Sequence, residues 1–187
     1  MKVYKRYENC TLDNYECKDQ VQKELIVELK KGIKDGFGSN ICIIGGVGTG
    51  KTHLAYAVVK ELSEVKEYSF GKAYVSAQVE YTTIKEIVDN IRKCWSKESD
   101  KYDLDKIESY KKIPLLIIDE LGVQYGSESE RIELFEIFNA RYNDMLPTIV
   151  ISNCNRNQIT KILGQRITDR LFSGAKIFEL SGKSYRA

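Results

Sequence analysis

The sequence predicts an α/β fold, a mostly parallel five-stranded sheet sandwiched by helices, and three observations predict it. Short apolar, β-branched runs alternate with stretches of helical spacing along the 187 residues. One run, Ile41-Cys42-Ile43-Ile44, leads directly into a glycine-rich loop and then into a helical pattern. Another, Leu115-Leu116-Ile117-Ile118, is apolar throughout, as a strand buried on both faces should be, and it ends in two acids, Asp119-Glu120.

Residues 1–20 are polar and tyrosine-rich, without a clear period. Val21, Leu25, Ile26, Leu29 and Ile33 then fall on one helical stripe, which Asp35-Gly36-Phe37-Gly38 closes before the first strand. Helical spacing resumes between His53 and Leu62. Lys72 to Ser76 reads as the second strand. The recurrence of Val79, Ile84, Ile87, Val88, Ile91 and Trp95 predicts a helix over 77–95. Ser96 to Lys112 is charged and helix-compatible. Ser127-x-x-Glu130 is a capping-box start for a helix to about Asn143, with Ile132, Phe135, Phe138 and Tyr142 as its buried stripe and Leu134 and Ile137 widening it. Thr148-Ile149-Val150-Ile151 is a fourth strand, Gln158 to Leu163 a short helix, and Ala175 to Leu180 the last strand. With no repeat, low-complexity tract or Pro/Gly-rich linker, residues 1–187 read as a single domain, 1–40 preceding a 41–187 core.

Gly45-Gly46-Val47-Gly48-Thr49-Gly50-Lys51-Thr52 is a full match to G-x-x-x-x-G-K-[ST], the phosphate-cradling Walker A loop. Its glycines let successive N–H groups turn inward, where a side chain at Cβ would obstruct the anion. Lys51 is placed to neutralise the β/γ-phosphates of ATP or ADP, and the Thr52 hydroxyl to ligate Mg²⁺. His53 sits at the helix N-terminus, whose dipole also favours phosphate. As the sole histidine its ordinary role is packing or facing solvent. Asp119 and Glu120 have the Walker B pattern: Asp119 to hold Mg²⁺ through water, Glu120 to orient and deprotonate the attacking water. An acid beside the Mg²⁺ aspartate suits hydrolysis more than transfer to an acceptor. Asn153 ends a strand beside Walker B, where an amide can touch the γ-phosphate or the lytic water. A strand-end asparagine is also ordinary, and the residues alone leave both readings open.

Composition narrows the classes. No apolar run approaches bilayer length and the start lacks a signal-peptide core, so a cytoplasmic protein without a membrane partner is expected. Five cysteines (10, 17, 42, 94, 154) form no CxxC pair and read as free thiols in a reducing compartment, Cys42 as a small core residue. A net charge of +2 does not select nucleic acid. Residues 115–145 carry seven acids against two arginines, a net of −5, and residues 146–187 seven bases against two acids, a net of +5. That asymmetry suits head-to-tail association, and two ordinary solvated faces would produce it equally.

The motifs and their order resemble the AAA+ ATPases of the DnaC/DnaI helicase-loader group and the related IstB transposition helpers. The residues that carry the resemblance are Gly-x-Gly-Thr-Gly-Lys-Thr-His-Leu-Ala (46–55), Leu-Ile-Ile-Asp-Glu-Leu-Gly (116–122), Ile-Ser-Asn (151–153), Leu-Gly-x-Arg-Ile-x-Asp-Arg-Leu (163–171) and Ser-Tyr-Arg (184–186). The resemblance implies an AAA+ sheet with the Walker A strand central. It implies Asn153 as sensor 1, Arg170 as an arginine finger reaching a neighbouring protomer with Arg166 beside it, and Arg186 as sensor 2. More loosely, it places the stretch near Arg6, Tyr7 and Asn9 beside the adenine. It also implies an ATP-dependent head-to-tail homo-oligomer and single-stranded DNA. Loaders grip the strand through helices after the second strand, here the 77–95 helix with Arg92, Lys93 and Lys97, and with Tyr81 and Trp95 able to stack on bases. Acids dilute that charge, and a solvated face with Trp95 packed in the core is the expected arrangement. Loaders usually carry an amino-terminal helicase-binding domain. It is expected to be absent here, and a DnaB-type replicative helicase remains a candidate partner, with that missing domain as one route of contact. Besides the loader, the residues accommodate an IstB-like transposition helper on duplex DNA, a small P-loop kinase, and a module that holds ATP without turning it over.

Overall fold

The computed structural model describes residues 4–64, 79–96, 100–122, 127–182 and 184–185. Among them, β1 (Ile41–Gly45), β2 (Val79–Thr83), β3 (Leu115–Leu121), β4 (Thr148–Ser152) and β5 (Lys176–Leu180) form one sheet in the order β2-β3-β4-β1-β5. Every neighbouring pair is parallel. The helices are α1 (Gln20–Asp35), α2 (Lys51–Glu64), α3 (Ile84–Cys94), α4 (Lys101–Lys112), α5 (Glu128–Asn143), α6 (Arg156–Leu163) and α7 (Gln165–Phe172). No helix of the described residues is long and apolar enough to cross a membrane.

Strand periodicity explains the two cores. Along β3, Leu115 and Ile117 pack with Leu25, Leu29, Leu54 and Leu62 of α1 and α2. Leu116 and Ile118 face the other way, onto Ile84, Ile91, Leu134 and Ile167 of α3, α5 and α7. All four side chains of β3 named here are fully buried, which is why the run shows no polar alternation. Cys42 is equally buried, and burial pushes its thiol up to about 12.

Two expectations are corrected. Residues 79–83 are strand β2, not the opening of a helix; the expected strand at Lys72–Ser76 lies outside the described residues. Val79 fits the helical spacing by coincidence, and the boundary is set by a capping box. The Thr83 hydroxyl accepts from Glu86 N at 3.1 Å, and the Glu86 carboxylate accepts from Thr83 N at 3.0 Å. The buried stripe of α5 is also rotated. Ile132 and Tyr142 are about half exposed, while Glu130, Leu134, Ile137, Phe138 and Arg141 are buried. Arg141 donates to Thr148 Oγ1 and to the carbonyls of Tyr110, Ile113 and Pro147 at 2.6–2.9 Å. Glu130 takes the Arg92 guanidinium at 2.8 Å, which with the Ser127 N–H holds its carboxyl below the usual range. Both charges are inside because the fold supplies partners from other elements.

Candidate active site

The carboxyl ends of β1, β3 and β4 meet at a cleft of about 510 Å³. Open parallel sheets place ligands there. The loop from β1 into α2 holds Gly48 at φ 83 and Gly50 at φ 84, a region that favours glycine. Neighbours also exclude a side chain: a Cβ would lie 2.0 Å from Ser184 Oγ at position 48 and 2.5 Å from a Tyr15 ring carbon at position 50. At these two positions the obstruction comes from the chain itself, from Ser184 and from Tyr15, and Tyr15 also lines the cleft. Tyr15 donates its hydroxyl to Thr49 O at 2.9 Å, and Tyr185 N donates to Gly48 O at 2.8 Å. The two rings sit 5.8 Å apart, and the Tyr185 hydroxyl donates to Glu16 O.

Lys51, nearly buried, donates to the carbonyls of Gly45 and Gly46 at 2.6 Å each and to Thr49 Oγ1 at 3.2 Å. Phosphate oxygens would exchange these neutral acceptors for charge-assisted ones. Thr52 Oγ1 donates to Asp119 Oδ2 at 2.8 Å, so the Walker A hydroxyl and the Walker B carboxylate meet. Tyr81 donates to the same oxygen at 3.1 Å, and Glu120 N to Asp119 Oδ1 at 2.7 Å. Asp119 is 4% exposed. Burial, and after it the charge of Asp119, push the Tyr81 phenol well above its usual range, so it remains a donor at neutral pH.

Glu120 has φ 58, where the β3–β4 register slips between Ile118 and Leu121. The bulge leaves its side chain exposed in the cleft while Asp119 and Leu121 stay buried. Ser152 Oγ donates to Leu121 O and accepts from Cys154 N at 2.9 Å, tying the two strand ends together. Asn153, next along, is exposed and lines the cleft. His53 also lines it, with Nε2 2.9 Å from Thr11 O and its ring edge-on to Tyr15.

A single carboxylate and a single hydroxyl are too few to cage a metal, and no cluster of three or more His, Cys, Asp or Glu suited to one occurs among the described residues. Two hard oxygens beside a phosphate loop nevertheless fit Mg²⁺, which keeps several waters and completes its shell with phosphate oxygens.

The other expected residues divide. Arg6 and Tyr7 line the cleft; Asn9 does not, although its carbonyl accepts from Asn14, which does. Arg170 is not among the lining residues: its Nε donates to Asn139 Oδ1 at 3.2 Å, and its guanidinium lies 5.4 Å from the Phe135 ring centre and 5.6 Å from that of Tyr142. Arg166 is exposed on the same helix. Arg186 lies outside the described residues, as does Lys97. Trp95 is 48% exposed at the end of α3, not packed in the core as expected. Tyr81 turns inward onto Asp119 instead of presenting itself for base stacking, and Arg92 is paired with Glu130 and Asp89. The acidic α5 packs against α7, which carries Arg166 and Arg170. Tyr15, Tyr185 and Tyr81 went unidentified as contacts of the loop and of Asp119, although Tyr185 lies within the Ser-Tyr-Arg stretch and Tyr81 was singled out for base stacking.

A parallel sheet in this strand order, carrying Walker A and Walker B residues at its carboxyl edge, defines an AAA+ P-loop protein. The chain belongs to the family of IstB-like ATP-binding proteins, whose profile matches residues 5–187. It is 28% identical over 184 residues to the replicative helicase loader DnaC of Escherichia coli (strain K12), spanning 97% of this chain and 71% of that protein. The crystal structure of the DnaC helicase loader resembles it with a TM-score of 0.78 at 21% identity, over 95% of this chain and 100% of that one. The replication initiator DnaA bound to AMPPCP and single-stranded DNA resembles it with a TM-score of 0.75 at 23% identity, over 94% of this chain and 51% of that one.

Proposed function

We propose that this chain hydrolyses ATP as a module of the helicase-loader type, assembling head to tail on single-stranded DNA and acting on a DnaB-type replicative helicase. The observation that carries the reading is the Thr52–Asp119 hydrogen bond at the mouth of the phosphate loop, with Glu120 exposed beside it. The similarity to DnaC supplies the biological direction, and the DnaA complex supports a nucleotide together with single-stranded DNA.

In this reading Lys51 leaves the Gly45 and Gly46 carbonyls for the phosphate oxygens of ATP. Thr52 and Asp119 hold Mg²⁺, which when bound draws charge from the phosphoryl oxygens. Glu120 accepts a proton from the water that attacks the γ-phosphorus, and the bond to the ADP oxygen breaks. Asn153 orients that water, and Arg186 reads the γ-phosphate in cis. Arg170 acts in trans, a role supported by its position outside the cleft of its own protomer. An exposed acid at the cleft and an arginine held away from it favour hydrolysis over a kinase.

The family match favours a second reading, a transposition helper on duplex DNA. ATP turnover measured against protein concentration, with single-stranded or duplex DNA at one stated salt concentration, separates them. Specific activity is expected to rise with concentration and further with the single strand. Arg170→Ala should bind ATP normally while losing stimulated turnover by up to about 10³-fold. Concentration-independent turnover unchanged in Arg170→Ala would contradict assembly through Arg170, and preferential stimulation by duplex would favour the helper.

A further inference from the structure

We propose that Tyr81 is a positioning residue for the Mg²⁺-holding aspartate, setting how strongly the cleft responds to Mg²⁺; the inference rests on the Mg-nucleotide reading above. The placement follows from the sheet register. Tyr81 pairs with Ile117, and Thr83 pairs with Asp119, so Asp119 lies on the face that Tyr81 shares, two residues further along β3. Such a diagonal distance is within reach of an aromatic side chain but not of a short one. The hydroxyl spans it and donates to Asp119 Oδ2 at 3.1 Å, the oxygen that also accepts from Thr52 at 2.8 Å.

The ring itself is held. It lies 4.8 Å from the ring of Tyr56 on α2, which stacks at 4.6 Å on Tyr7 at the cleft. Three donors thus fix the carboxylate: Thr52 and Tyr81 on Oδ2 and the Glu120 N–H on Oδ1. The Thr52 hydroxyl can keep its proton on Asp119 while offering a lone pair to the metal. The Tyr81 hydroxyl also lies within hydrogen-bond reach of the Tyr56 hydroxyl, and it gives its one proton to Asp119. It keeps the carboxylate plane and its charge where the metal's waters must find them, as donors behind metal-binding carboxylates do.

Tyr81→Phe removes the oxygen and keeps the ring against Tyr56. Equilibrium binding of a fluorescent ADP is measured in EDTA and across a Mg²⁺ titration, for the whole chain and the variant, alongside thermal unfolding without nucleotide. The variant is expected to bind as the wild type does in EDTA and to need roughly tenfold more Mg²⁺ for half of the metal-dependent gain. Tyr81→Leu, which also removes the ring, should show at least the same Mg²⁺ shift. Wild-type Mg²⁺ dependence in Tyr81→Phe would overturn the proposal. So would parallel losses in EDTA and in Mg²⁺ with a lowered unfolding temperature, since the hydroxyl would then act only on stability. Folded wild-type protein without nucleotide affinity would remove the underlying reading as well, an outcome seen before any variant is compared.

Discussion

Glu120 occupies the left-handed region at φ 58, a conformation that costs a residue with a side chain about 1–2 kcal/mol. The pairing of β3 with β2 on one side and β4 on the other holds it there. The consequence is chemical. A regular strand would turn Glu120 onto the buried face of Leu116 and Ile118, whereas the bulge seats Leu121 on that face and leaves Glu120 exposed. Glu120→Gln should therefore fold and bind ATP, while single-turnover phosphate release falls by about 10²–10⁴-fold. Turnover at the wild-type rate would exclude Glu120 as the base. The chemistry of Lys51, Thr52, Asp119 and Glu120 is legible because each motif is contiguous in sequence. The bulge is not legible, because nothing in Ile118-Asp119-Glu120-Leu121 announces a register slip against a strand some thirty residues away.

At the scale of elements, legibility followed the source of each burial. β1, β3 and β4 are buried by their own apolar side chains, and their runs show it. The face of α5 is decided instead by partners: Glu130 by Arg92 on α3, and Arg141 by carbonyls at the end of α4 and the start of β4. A pattern that treats charge as solvent-facing rotates the helix by its two most consequential residues. The start of α3 was available from Thr83-x-x-Glu86, and the apolar spacing of Val79 concealed it. Arg141→Met would leave several buried acceptors without donors, and an expected loss of about 3 kcal/mol follows. Urea unfolding should show a lower midpoint at unchanged slope. A midpoint equal to the wild type would mean that Arg141 contributes nothing net to the packing of α4, α5 and β4.

Across the whole molecule, the loop is braced by the two ends of the described chain. Tyr15 from the amino-terminal segment reaches Thr49, and Tyr185 from the last described residues reaches Gly48 and Glu16. The Lys18 ammonium lies 3.5 Å from the Tyr185 ring centre and adds a cation–π contact to the junction. Such contacts, between residues 34 to 169 positions apart, have no periodicity to betray them. The sheet order is likewise a property of crossovers and not of any one strand. Arg170 and Asn153 separate at this scale too, one against α5 and the other in the cleft, as the proposed division between trans and cis groups requires. All of these roles presuppose that the braced loop grips a nucleotide. Equilibrium titration of folded protein with Mg-ATP, beside Lys51→Ala, tests that most directly. Saturable binding is expected, weakened by roughly ten- to a hundredfold in the variant, since a charge-assisted contact is lost. A correctly folded wild-type chain with no measurable affinity for Mg-ATP, or an affinity that Lys51→Ala leaves unchanged, would contradict the account.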